Sequence, residues 1–353
     1  MAKQWLWRLV QTALGIWLLA SLVFLLSHLG PVRGADMLLP AAGDLNTAST
    51  QGSFAQRQAG RHAVEHRLGL DQPVFYLSWQ PATDTTTGRW QWQGIPNQYH
   101  SWLLRMTQGD LGTSLGSREP VGAQLWQALA YTLPLVGSTL LITLLLAWQL
   151  AEQLAARAWW QPMVQAALTG LQALPLFAIA LALLLLLANP EVVAWFPPYG
   201  LGQRTPADVG WGAWLVAYAY HALLPILSLL LSVLPAVTLQ LAGALRDELA
   251  QPYISTAYAK GLSLPQVIRR HALRNALLPS LTQLTDLLPT LVAGTLVVEV
   301  VFALPGMGRL LVQAATTRDY PLLVGGVLLI GTARLLALLL ADVLYGWADP
   351  RIR

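Results

Sequence analysis

The sequence predicts an all-α integral membrane protein with six transmembrane helices. Apolar residues occupy 55% of its 353 positions and charged residues only 11%, whereas soluble domains are about one quarter charged. Six stretches are long and apolar enough to cross a bilayer, which takes about 20 residues. Basic residues also concentrate in alternate short loops, as the positive-inside rule expects of a protein that crosses the membrane several times.

Polar connections of very different length separate the six apolar stretches. The first stretch follows Lys3 and Arg8 and has no small-residue cleavage site after it, so we expect an uncleaved signal-anchor helix over 1–29. An extracytoplasmic segment, a five-helix membrane core and a cytoplasmic tail follow at 30–126, 127–345 and 346–353. The predicted spans themselves are 9–29, 127–150, 163–188, 213–240, 280–302 and 322–345.

The distribution of basic residues orients these spans. With the N-terminus inside, the short cytoplasmic segments hold ten Lys or Arg residues and the short external loops hold three. The positive-inside rule counts short loops, so it favours a cytoplasmic N-terminus and a cytoplasmic C-terminus. The polar loop 246–279 then faces the cytoplasm.

Composition excludes several classes of chemistry. The chain has no cysteine, which rules out disulfides, thiolate metal sites and cysteine nucleophiles. Lys3 and Lys260 are its only lysines, and neither stands in a G-x-x-x-x-G-K-[ST] phosphate-binding loop. If this protein uses ATP, another chain binds it, and we expect no cofactor or metal on this one.

The extracytoplasmic segment carries one pattern that would suit catalysis. His62, Glu65 and His66 form an H-x-x-E-H match on a predicted amphipathic helix. Two histidines one turn apart are able to ligate zinc, with the glutamate as a base. The simpler interpretation is a solvated helix face with an i,i+4 pair between Arg61 and Glu65. A membrane-anchored zinc hydrolase is therefore the alternative function.

Several tryptophans lie where a predicted span meets the headgroups. Trp5 and Trp7, for example, precede the first span, which is typical of an interfacial aromatic belt. Trp90 and Trp92 fall instead in the exported segment. They either contact a partner or fill the core of a small domain.

The cytoplasmic loop has the local signals of two helices. Pro252 suits the first turn of a short helix, and Gly261 supplies the left-handed residue that ends it. Ser263 and Gln266 form a capping box that starts a second helix, which runs to about Leu278. Small side chains in the first helix permit close approach of a partner, whereas basic residues in the second lie near lipid headgroups.

Motifs in this loop and along the chain recur in a recognisable order. The loop motifs are Tyr253, Thr256-Ala257, Ala259-Lys260-Gly261-Leu262 and His271-Ala272-Leu273-Arg274-Asn275-Ala276-Leu277-Leu278-Pro279. Other pieces are Gly109-Asp110-Leu111-Gly112-Thr113-Ser114, Pro197-Pro198-Tyr199-Gly200, Val298-Glu299 with Phe302, and Arg318-Asp319-Tyr320-Pro321. The loop resembles the EAA loop of binding-protein-dependent ABC importer permeases, of the dipeptide/oligopeptide/nickel family. The resemblance covers nearly the whole chain.

The resemblance implies a type I ABC importer permease core in a bacterial inner membrane. The short helix at about 252–261 would be a coupling helix that docks into a groove on a cytoplasmic ATPase subunit. The expected partners are ATPase subunits, a second homologous permease, an extracytoplasmic solute-binding protein and membrane lipid. The cargo would be a peptide or a similar small solute, moved by alternating access. The implied coupling residues are Tyr253, Ser255, Thr256, Ala257, Ala259, Lys260 and Gly261.

Three charged residues fall inside predicted spans, where charge is costly and marks a functional hypothesis. Glu299 matches the family pattern and lies near the outer end of the fifth span. Asp286 and Arg334 do not match it. Either they pair between the fifth and sixth spans, or Arg334 faces a water-filled pathway alone.

A secondary transporter that works without an ATPase is a further alternative for the function of the whole protein.

Overall fold

The computed structural model describes residues 2–28, 72–80, 88–156, 159–200 and 210–348. The helices are α1 Ala2–His28, α2 Gln98–Thr107, α3 Val121–Ala155, α4 Gln161–Gln172, α5 Leu176–Leu187, α6 Trp211–Leu249, α7 Pro252–Ala259, α8 Leu264–Val267, α9 Leu273–Val301, α10 Met307–Thr317 and α11 Tyr320–Ala348. A π-helical turn, Ile268–Ala272, joins α8 to α9. Two strands, β1 Leu77–Gln80 and β2 Arg89–Trp92, form an antiparallel hairpin.

Four helices in the described part of the chain are long and apolar enough to cross a membrane. Their spanning portions are Leu6–Leu26, Val121–Ala155, Trp211–Leu249 and Tyr320–Leu339. The pair α4 and α5 adds a fifth if the two count as one broken span, and α9 contributes a shorter apolar stretch, Leu287–Val301. The helical membrane class is confirmed, and the count of six spans stays a prediction.

The third predicted span, 163–188, is broken in the structure. Helices α4 and α5 meet at 102° across the three residues between them. Pro175 takes an extended conformation there, with φ −68° and ψ 143°. Because proline lacks an N–H and disfavours helical backbone at the residue before it, the chain turns at this point. Hydropathy alone does not reveal the break, because the two helices taken together are apolar enough to count as one span.

The start of the fifth predicted span also differs. The sequence analysis ended one helix at Leu278 and began the next at Pro279, whereas α9 runs without a break from Leu273 to Val301. The extra residue of the π-helical turn lies upstream, at Ile268–Ala272. A proline inside a long membrane helix is tolerated where neighbouring elements compensate for the lost hydrogen bond.

The chain forms two compact units. One comprises Met1–Leu6, Gln127–Val312 and Arg334–Arg353, and the other comprises Trp7–Trp126 and Gln313–Ala333. In the first unit α9 packs along α6, and α5 packs on both. Their shared core includes Leu229, Leu291 and Phe302. The second unit contains most of α1, the hairpin and α2.

The hairpin is the β-structure among the described residues. Leu77 pairs with Trp92, Ser78 with Gln91, and Trp79 with Trp90. The sequence analysis predicted an all-α architecture, so the hairpin is an addition to it. Alternating Trp and polar residues suit a strand, because successive side chains point to opposite faces.

Candidate functional site

The short helix α7 begins and ends as its sequence predicts. Pro252 stands in its first turn. Gly261 adopts φ +78° just after it, and its N–H donates to the carbonyl of Tyr258 at 2.9 Å. Ser263 and Gln266 form the predicted capping box, in which the Ser263 N–H donates to Gln266 Oε1 at 3.0 Å. These three signals are local, so the sequence predicts the ends of α7 and the start of α8 without knowledge of the tertiary packing.

Helix α7 has one buried face and one exposed face. Ile254 and Ala257 are 2% and 4% exposed and join a core cluster with Leu154, Leu245 and Val267. This cluster fixes the helix against the ends of α3 and α6. The exposed members of the predicted coupling set are Tyr253, Ser255, Thr256, Ala259, Lys260 and Gly261. Ala257 belongs to the buried face, so its side chain packs inside the permease.

A polar clamp secures the start of α7. The Tyr253 hydroxyl donates to Glu248 Oε2 at 2.5 Å, and Asn275 Nδ2 donates to that hydroxyl at 3.1 Å. Burial and the hydrogen bond to Glu248 raise the pKa of Tyr253. The clamp joins the end of α6, the start of α7 and the beginning of α9. Sequence analysis named Asn275 only as part of a motif and did not name Glu248, because their contact depends on how these three helices fold together.

One of the basic residues in the loop is paired with a carboxylate. Arg269 Nη2 lies 3.1 Å from Glu152 Oε2 at the end of α3, and the Arg269 Nε donates to Glu152 Oε1 at 3.2 Å. Trp148 Nε1 donates to the same Oε1 at 2.8 Å. Hydrogen bonding to Glu152 raises the pKa of Arg269. This arginine therefore ties the loop to α3, whereas Arg270 and His271 stay exposed.

Glu299 is buried near the C-terminal end of α9, with 1% of its surface exposed. Thr132 Oγ1 donates to Glu299 Oε1 at 2.7 Å, and the Gly308 N–H donates to Glu299 Oε2 at 2.6 Å. The Met307 N–H donates to Thr132 Oγ1 at 2.9 Å. The carboxylate thus caps the N-terminus of α10, where the helix dipole favours negative charge. It is held inside the protein and does not reach the interface.

Glycines make room for this carboxylate. A Cβ on Gly306 would lie 2.2 Å from Glu299 Oε1, and a Cβ on Gly308 would lie 2.3 Å from the Leu296 Cα. Any side chain at either position would displace the acid or the backbone. The Pro-Gly-x-Gly spacing at 305–308 therefore has a steric reason.

A second buried acid lies in the other unit. Ser114 Oγ donates to Asp319 Oδ2, and the Gly116 N–H donates to the same oxygen at 3.2 Å. The Leu322 N–H donates to Asp319 Oδ1 at 3.3 Å, so the residue caps α11. Sequence analysis identified Ser114 and Asp319 as parts of separate motifs. Their contact across 205 positions is visible only in the fold.

The other predicted charges and the metal motif remain without a structural test. Arg334 is exposed on α11, and the side chain of Asp286 lies outside the described residues, so their pairing stays a prediction. His62, Glu65 and His66 also lie outside the described residues.

Comparison with known proteins identifies the family to which the chain belongs. The family model described as "Binding-protein-dependent transport system inner membrane component" matches residues 143–353, more than half of the sequence. The chain belongs to this family. It is thus a multi-pass inner-membrane permease subunit of an ABC importer, of the peptide/nickel type, and not an enzyme. Membership implies an ABC ATPase and a solute-binding protein as partners, and gives no support to the zinc hydrolase alternative.

Two curated relatives align over most of this permease. It is 30% identical over 341 residues to the glutathione transport system permease protein GsiC of Salmonella choleraesuis, covering 95% of this chain and 94% of the relative. It is 32% identical over 305 residues to the di/tripeptide transport system permease protein DppB of Pseudomonas aeruginosa, covering 82% and 83%. The similarity therefore extends well beyond the region that the family model matches.

Proposed function

We propose that this permease moves short peptides, or small solutes of similar chemistry, across the inner membrane by alternating access, driven by ATP hydrolysis on separate subunits. The observation that carries the proposal is the two-faced α7. Its inner face is fixed in the permease core through Ile254 and Ala257. Its outer face presents Ser255, Thr256 and Ala259, whose small side chains allow a partner's groove to approach the backbone closely, flanked by the exposed rings of Tyr253 and Tyr258.

The clamp at the start of α7 would transmit a displacement of this helix to the membrane helices α6 and α9. Glu248 belongs to α6 and Asn275 to α9, and both hydrogen-bond to Tyr253 or to each other. Movement of α7 would therefore displace the cytoplasmic ends of two long membrane helices together. Because packed elements shift as rigid bodies between discrete arrangements, such a displacement suits alternating access.

Charge supports the proposed orientation, with both termini in the cytoplasm and the coupling loop on the same side. A second homologous permease would supply the other half of the pathway. The exposed Arg270 and His271 would lie near anionic headgroups, which attract basic residues close to a membrane.

The printed names of the relatives support the substrate class. One relative is named for glutathione and the other for di- and tripeptides, and both compounds are short, polar and built from amide bonds. A short peptide is the cargo class that these names have in common.

An assembly experiment tests the coupling surface. Ala259→Arg adds a long charged side chain to the exposed face of α7 without entering the core cluster. We expect this variant to lose co-purification of the ATPase subunits. Ala123→Arg is the matched control, since Ala123 is exposed near the opposite end of α3. An Ala259→Arg permease that retains the ATPase as well as the control would rule out α7 as the docking element.

A further inference from the structure

The β1–β2 hairpin turns its apolar face outward. Strand alternation places Leu77, Trp79, Trp90 and Trp92 on one face and Ser78 and Gln91 on the other. The apolar residues are 47%, 52%, 67% and 64% exposed. The polar residues are less exposed, and Ser78 Oγ accepts a hydrogen bond from Gln93 Nε2 at 2.7 Å. A hairpin packed on a water-soluble domain has the reverse arrangement.

The exposed tryptophans are ordered against each other. The rings of Trp79 and Trp90 meet edge to face across the two strands, with centroids 5.4 Å apart. The ring of Trp92 stacks on Tyr76 at 5.6 Å. Contacts of this kind hold the indoles as a fixed surface. An exposed apolar surface of this kind marks an interaction site.

A chain of contacts places this surface beside the end of the first membrane span. Ser21 of α1 hydrogen-bonds to the Tyr99 hydroxyl at 2.7 Å, and the rings of Phe24 and Tyr99 lie 5.2 Å apart. Tyr99 contacts Tyr76 at 5.7 Å, and Tyr76 stacks on Trp92. Ser21 and Phe24 lie in the last two turns of the span Leu6–Leu26.

These contacts place the hairpin at the depth of the headgroup layer. Five residues of helix separate Ser21 from the end of the span, a rise of about 7–8 Å. The headgroup layer beyond the hydrocarbon is about 5–8 Å thick on each side. Two ring contacts of less than 6 Å each connect Trp92 to Tyr99, so the hairpin stays close to this layer.

We propose that the outward face of the hairpin, formed by Leu77, Trp79, Trp90 and Trp92, sits in the lipid–water boundary of the leaflet at the C-terminal end of α1. The chemistry of indole fits that position, because its ring is apolar and its N–H is a donor to headgroup or water oxygens. Arg105 on the neighbouring helix α2 is exposed and suits phosphate groups of the same layer. Leu22 and Leu26, at the same end of α1, are also exposed apolar side chains.

Because the chain has no cysteine, a single introduced cysteine can be labelled specifically to test the proposal. Trp90→Cys and Trp92→Cys, each labelled with an environment-sensitive fluorophore, are placed in phosphatidylcholine/phosphatidylglycerol nanodiscs. Phospholipids brominated near the headgroup end of the acyl chain should quench both labels strongly, and more than lipids brominated near the chain terminus. Leu14→Cys, in the middle of the α1 span, is the deep control and should show the opposite preference. Lys260→Cys on the coupling loop is the aqueous control.

Two results would overturn the proposal. In the first, the hairpin labels respond to aqueous iodide as Lys260→Cys does and ignore brominated lipid, which places the face in water. In the second, the labels ignore brominated lipid and become protected from iodide only when a solute-binding protein is added. That outcome would assign the face to protein docking. Two separate label positions keep the test valid if one variant fails to assemble.

Discussion

The proposed coupling helix α7 and the β1–β2 hairpin are both short elements, and they turn opposite kinds of side chain outward. Helix α7 buries Ile254 in the permease core and turns small side chains such as Ser255 and Ala259 outward, together with the two hydroxyl-bearing rings of Tyr253 and Tyr258. The hairpin keeps its polar residues on the less exposed face and presents tryptophans. A groove on a water-soluble ATPase needs close backbone approach, whereas a lipid boundary accepts indole rings. The direction in which each element turns its apolar side therefore indicates its environment.

Truncation of Ile254, the buried side chain of α7, should lower the free energy of unfolding more than any other change proposed here. Ile254→Ala deletes most of a side chain that is 2% exposed, and substitutions of this type cost about 2–5 kcal/mol. Trp90→Ala, at an exposed position, should cost about 1 kcal/mol or less. Thermal unfolding of both variants in detergent measures the difference. A Trp90→Ala cost equal to that of Ile254→Ala would show that the hairpin face is a core and not a surface.

Substitution of Gly261, just after the end of α7, should have the next largest effect on the free energy of unfolding. Gly261 adopts φ +78°, and a Cβ added there meets nothing within 4 Å. Gly261→Ala should therefore cost about 1–2 kcal/mol through backbone strain alone, with Gly261→Asn closer to wild type. Gly243→Ala in α6 is the control, because its Cβ also meets nothing, and helix propensity favours alanine by about 1 kcal/mol. Equal unfolding temperatures for Gly261→Ala and Gly243→Ala would contradict the strain argument.

The clamp at Tyr253 should give the smallest effect, and one that depends on pH. A double-mutant cycle of Tyr253→Phe with Glu248→Gln should yield a coupling of about 0.5–1.5 kcal/mol. Because the folded pKa of Tyr253 is raised above 10.0, its contribution is complete below that value. The contribution is lost as pH rises through the folded pKa, since the phenolate no longer donates to Glu248.

The measurement is the stability difference between the wild type and Tyr253→Phe across alkaline pH. We expect this difference to shrink above about pH 10. A difference that stays constant to pH 11 would show that the hydroxyl contributes through packing and not through its proton. The hairpin contains no tyrosine, so Trp90→Phe should leave the alkaline profile unchanged and serves as the matched control.

Local signals in the sequence determined much of the architecture. Composition and apolar length specified a helical membrane protein. Pro252 and Gly261 specified the ends of α7, and Ser263 and Gln266 specified the start of α8, because capping and turn conformations depend on residues a few positions apart. The ordered motifs specified the family. Each of these signals is complete within one stretch of chain.

Contacts between distant segments were decided only by the tertiary structure. Arg269 meets Glu152 across 117 positions, and Thr132 meets Glu299 across 167. No periodicity encodes such pairings, because they depend on which helix ends lie side by side. The face that the hairpin turns outward also escaped sequence analysis, since alternation marks two faces without saying which one is covered. The sequence by itself therefore determined which elements form, and packing determined which of their side chains remain available to partners.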